Sequence, residues 1–134
     1  MVLLFLMTGK LADQQPRVTP LMSKDLAGIP GKEATMITVD YAPGASDVIH
    51  RHNAHALVYV LQGTAVMQLR GGQQQTLRPG QTFYEQPQDI HLGAYARRSE
   101  NFVLVVHACG WSGALRARLM NARRSVGASY VKLS

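Results

Sequence analysis

Glycine and proline cut this chain into pieces too short to be helices. Residues 34–42 (ATMITVDYA) end at Pro43-Gly44, residues 56–62 (ALVYVLQ) at Gly63, residues 64–70 (TAVMQLR) at Gly71-Gly72, and residues 73–78 (QQQTLR) at Pro79-Gly80. Another apolar run, NFVLVVH, occupies residues 101–107. Pieces of this length, closed by turn-forming residues, read as strands, and residues 34–42 largely alternate apolar with polar, the period of a strand with one buried face. Gly71-Gly72 predicts a two-residue hairpin turn. No helical spacing appears before residue 110, so the fold class is all-β, a barrel or sandwich.

The pattern changes near the C-terminus. Leu115, Leu119, Ala122 and Val126 recur at helical spacing over residues 113–126, while Arg116, Arg118, Arg123 and Arg124 fall mostly elsewhere around the wheel. A short amphipathic basic helix is predicted there. The same segment explains the net charge of +6. Residues 1–109 carry nine Lys/Arg against all eight Asp/Glu, a balance of +1, and the remaining five basic residues all lie in 110–134. A nearly neutral body excludes a domain built to track phosphates, so no nucleic-acid partner is expected.

With 46% apolar residues over 134 positions, the chain can bury a single core. Cys109 is the lone cysteine, so no internal disulfide can form. The opening MVLLFLM has no basic residue before it and is short for a secretory signal. It reads as an apolar arm, with a signal remnant as the alternative. The cytoplasm is the expected compartment on the first reading, and the periplasm or exterior on the second. No segment has the length of a membrane span. Three parts follow: an N-terminal arm over 1–24, a barrel over 25–109 and a basic tail over 110–134.

Three of the five histidines, His50, His52 and His55, fall within IHRHNAH. On a strand, residues two apart share a face, so His50 and His52 present adjacent imidazoles to one ion, with Val48 on the same face. His91 follows a strand turned by Pro79-Gly80 and supplies a third imidazole.

The frame around these histidines resembles the cupin superfamily. Its first motif places a glycine, five intervening residues, His-x-His, then a glutamate, then a glycine. Here Gly44 is followed by His50-Arg51-His52, Ala56 and Gly63 at that spacing. The second motif runs from a glycine through Pro-x-Gly to a histidine and an asparagine. Here it reads Gly80, Gln86-Pro87-Gln88, His91 and Tyr95. The likeness extends upstream to about Asp25 and stops at Gly93. It implies a double-stranded β-helix (a cupin jelly-roll barrel), with one divalent ion (Fe, Mn, Ni or Zn) inside and, as in many cupins, pairing into a homodimer.

Ala56 stands where the family's glutamate ligand belongs, and two residues could supply the missing donor. Glu85 shares a face with Phe83 in QTFYEQ, a face turned to the barrel interior in a cupin, where a bare carboxylate costs several kcal/mol unless paired or metal-bound. His55 precedes Ala56 and would need a bulge to reach the ion; otherwise it is a loop residue behind the ligands. The expected set is therefore His50, His52, His91 and Glu85, with Glu85 also the candidate catalytic base. The function expected is metal-dependent chemistry, an oxygenase or isomerase reaction on a small organic substrate. The alternative is a non-catalytic barrel that binds a small molecule or senses a metal.

Overall fold

In the computed structural model, residues 15–96 and 102–111 are described, and they form eight strands with no helix. These are β1 (Arg17–Asp25), β2 (Lys32–Tyr41), β3 (Ala54–Gln62), β4 (Ala65–Leu69), β5 (Gln75–Leu77), β6 (Thr82–Glu85), β7 (His91–Ala96) and β8 (Phe102–Trp111). They build a five-stranded sheet in the order β1-β2-β8-β3-β6 and a three-stranded sheet in the order β5-β4-β7, with every pairing antiparallel. This is the expected all-β jelly-roll. The predicted basic helix over 113–126 lies outside the described residues. The sheet begins at Arg17, inside the segment expected to be an arm, because residues 17–24 pair along β2.

β3 alternates: Ala54, Ala56, Val58 and Val60 are buried, while His55, Leu57, Tyr59 and Leu61 face outward. Register carries this face across the sheet in rows. Val39, Leu104 and Val60 form one row, and Ile37, Val106, Val58 and Phe83 another. A third holds Thr35, Ala108, Ala56 and Glu85. Large apolar side chains thus fill one end of the interior, where Tyr41 stacks on Phe102 with ring centroids 4.0 Å apart. Met67, Leu77, Ala94 and Ala96 from the smaller sheet join the same core. Burying each of the larger side chains contributes about 1.5–3 kcal/mol. Apart from Glu85, the Thr35 row is built from small residues. Close packing therefore leaves room at that end for bulkier groups, and three imidazoles occupy it.

The predicted Gly71-Gly72 turn is shifted by one residue. Gly72 N donates to Leu69 O at 3.0 Å, which makes Arg70 and Gly71 the central pair, and Gly71 takes the positive φ of 81°.

Candidate metal centre

Residues 45–50 run antiparallel beside β7, although only single bridges form. Ala96 N donates to Ala45 O, Asp47 N to Ala94 O, and His50 and His91 exchange both backbone bonds at 3.1 and 2.8 Å. Both partners break alternation at the same place. β7 carries an extra residue, since Gln68 pairs with Gly93 and Leu69 with His91. Across from it, Val48 and Ile49 both point outward, at 40% and 51% exposure. This double kink turns His91 to the same side as Ala94. It also turns Asp47, rather than the expected Val48, to the side of His50.

The histidines converge as their spacing predicts. His50 Nε2 and His52 Nε2 lie 3.2 Å apart, and the His50 ring meets those of His52 and His91 edge-on at 4.8 and 5.1 Å between centroids. His50 Nδ1 lies 2.7 Å from Val48 O, and because a carbonyl only accepts, the proton sits on Nδ1 and Nε2 carries the lone pair. His91 is buried and its Nε2 has no hydrogen-bond partner. Burial first, then the charge of neighbouring His50, lowers its pKa to about 4. It is therefore neutral at pH 7, the form that binds a metal without first losing a proton.

Glu85 occupies the row of Ala56 and pairs with it directly across β3 and β6. Side chains opposite one another in an antiparallel ladder share a face with Cβ atoms about 4.5–5.5 Å apart. A carboxylate thus stands on the adjacent strand opposite position 56. Glu85 is 3% exposed, with Oε2 3.5 Å from His52 Nε2 and Oε1 3.7 Å from His91 Nδ1. Those separations exceed a charge-assisted hydrogen bond of about 2.7–2.9 Å. They are also somewhat longer than the about 3–3.4 Å between neighbouring ligands on one ion with bonds near 2.1 Å. Imidazole nitrogens and carboxylates are donors that a divalent cation takes, and His91 Nε2 is a buried nitrogen without a hydrogen-bond partner, while its Nδ1 is the nitrogen nearest Glu85.

His55 does not join the cluster. It lies on the outer face of β3, where it shares a 2.5 Å hydrogen bond with the Tyr84 hydroxyl and stacks on that ring. Asp47 is the residue that sequence reasoning missed. Asp47, His50 and His91 each offer a donor atom within 4.8 Å of the others. Counting back by twos from His50 reaches Val48 and then Ser46, so strand alternation hid it.

The two sheets and the histidine cluster at the small-residue end define a jelly-roll barrel with a candidate metal site inside. A cupin domain profile matches residues 37–107, and the chain belongs to that family, whose members commonly bind a divalent metal. Solved structures share the fold. A double-stranded β-helix protein from Klebsiella pneumoniae is 19% identical, with 75% of this chain and 80% of that one covered and a TM-score of 0.60. The DMSP lyase DddQ from Ruegeria pomeroyi is 18% identical, with 76% and 50% covered and a TM-score of 0.60. An RmlC-like cupin from Shewanella frigidimarina is 18% identical, with 70% and 87% covered and a TM-score of 0.53. The chain spans about half the length of the DMSP lyases it matches, 40% in one case. No curated protein sequence matches it. Among the described residues no helix is long and apolar enough to cross a membrane.

Proposed function

We propose that this chain is a metal-dependent cupin enzyme acting on a small organic molecule, with His50, His52, His91 and Glu85 holding one divalent ion. The observation that carries the reading is the Glu85 carboxylate, directly opposite Ala56 and within 3.5 and 3.7 Å of two imidazole nitrogens. Bound there, the ion would serve as a Lewis acid or as a site for O2. Neutral His91 and the tautomer of His50 fixed by Val48 O keep nitrogens ready for it. Glu85 has two oxygens facing two different imidazoles, so one can hold position while the other accepts a proton from substrate. Oxygenase and isomerase reactions both draw on these same elements: a held ion and a nearby base.

Metal content of the untagged protein, after reconstitution with Fe, Mn, Ni or Zn, tests the assignment. Wild type should hold about one ion per chain, His50→Ala none, and Glu85→Gln less, by about 10-fold or more in affinity. The transposed variant Ala56→Glu/Glu85→Ala should recover binding, because the carboxylate returns to the same spot from the other strand. A transposed variant as weak as Glu85→Gln would reject Glu85 as the stand-in. A wild type that takes up no ion would overturn the enzyme reading in favour of a non-catalytic binding barrel.

A further inference from the structure

We propose that residues 113–126 fold back as a helix onto the outer face of β3 and β6, and that this face is built to hold them. The metal centre is not involved, since Ala56 and Glu85 face the other side of the same strands. An antiparallel sheet with one buried face usually turns polar side chains to water on the other. Here the outer side chains Leu57, Tyr59 and Leu61 of β3 and Tyr84 of β6 are apolar or aromatic, and between 42% and 53% exposed. Register joins them into one patch, with Leu57 opposite Tyr84 and Tyr59 opposite Thr82. The surface is also concave: a groove of about 500 Å³ has Leu57, Tyr59, Thr82 and Tyr84 in its lining. Scattered apolar side chains need no explanation, but a contiguous set beside a groove marks a docking surface.

The chain itself carries a matching stripe. On a helix, Leu115, Leu119, Ala122 and Val126 fall within an arc of about 60°. Such a stripe needs an apolar surface to lie against. Arg124 falls on the opposite side, and Arg116, Arg118 and Arg123 flank the stripe, where their long side chains reach water. Docking therefore buries no bare charge.

Position and length agree with this occupant. β8 lies hydrogen-bonded beside β3 and ends at Trp111, two residues beyond the Cys109–His55 pair. The chain thus leaves the sheet at the His55 end of the patch, next to the strand it would cover. Ser112-Gly113, a turn-forming pair, stands where the direction must reverse. Residues 113–126 span about 21 Å as a helix at about 1.5 Å per residue. From His55 to Leu61 the outer face of β3 runs about 20 Å at about 3.3 Å per residue.

Two other occupants compete for the face. Residues 1–7 are apolar on every side, and the described chain enters through β1, at the far edge of the sheet and three places from β3. A second copy of the barrel must arrive from solution, whereas a tethered segment is present at an effective concentration of about millimolar.

Thiol labelling of the full chain decides among the three. Thr82→Cys places a thiol in the groove, and Cys109→Ser removes the natural one. The thiol at position 82 should react with N-ethylmaleimide about tenfold or more slowly than in the same chain carrying Leu115→Asp/Leu119→Asp. That protection should persist over about a hundredfold dilution. Equal rates with the apolar and the charged segment would overturn the proposal. So would protection that fades on dilution, which gives the face to a second copy. Protection that survives the Leu115 and Leu119 substitutions but is lost with Leu4→Asp/Leu6→Asp would overturn it too, and give the face to residues 1–7. Should the Thr82→Cys chain fail to fold, Leu57→Cys carries the same comparison.

Discussion

Acidifying the metal-free protein perturbs a group whose response can be worked out from its surroundings. His91 is 2% exposed, and burial, aided by the nearby His50, lowers its pKa from 6.5 to about 4. In the unfolded chain the same imidazole gains its proton near pH 6.5. Between the two values the unfolded state binds a proton that the folded state does not, so stability falls as pH falls. The contribution is complete above about pH 6.5 and is lost progressively down to about pH 4. At about 1.4 kcal/mol per pH unit the interval amounts to about 3 kcal/mol, of which about 2 is gone by pH 5. Urea unfolding of chelator-stripped protein at pH 7.5 and pH 5 measures the loss, with His91→Gln as the comparison because glutamine does not titrate. Wild type should lose about 2 kcal/mol more than the variant over this interval. Equal losses to within about 0.5 kcal/mol, or an imidazole resonance of His91 that titrates near pH 6.5, would refute the reasoning.

Two further outcomes follow from the backbone around the cluster. At Gly93, with φ at 128°, an added Cβ would approach Asp47 O to 3.1 Å. Gly93→Ala should therefore cost about 1–3 kcal/mol and weaken metal binding by displacing residues 47–50, measured by thermal melting of the metal-free form and by metal titration. His55→Ala should leave metal content unchanged and alter stability by no more than about 1 kcal/mol, because that imidazole bonds Tyr84 on the outer face; metal loss in this variant would contradict its placement.

Alternation made most of the barrel legible. It marked residues 34–42 as a strand with one buried face, and it marked Glu85 as inward-facing through its phase with Phe83. The same rule failed at residues 47–50, because alternation assumes an uninterrupted strand. The extra residue in β7 opposite Val48 and Ile49 is a pairing property of two segments, visible in neither alone. β1 escaped notice for another reason. It is an edge strand with most side chains exposed, Leu21 and Met22 among them, so no buried face imprints a pattern on its sequence. At Gly71 the turn-forming residue was visible, but which dipeptide stood at the centre depended on the Leu69–Gly72 bond.

The rung shared by Ala56 and Glu85 also bears on how such a chain can change over time. Two positions on different strands address one point in space, so a carboxylate can migrate between them through an intermediate that carries both. Crowding of like charges in that buried intermediate costs several kcal/mol unless a bound cation or protonation of one acid offsets it. No step on that route lacks an acid facing the histidines. Scanning for a glutamate at a fixed offset from His-x-His would score the start and the end of the journey differently, although both present the same oxygen atoms to the same imidazoles.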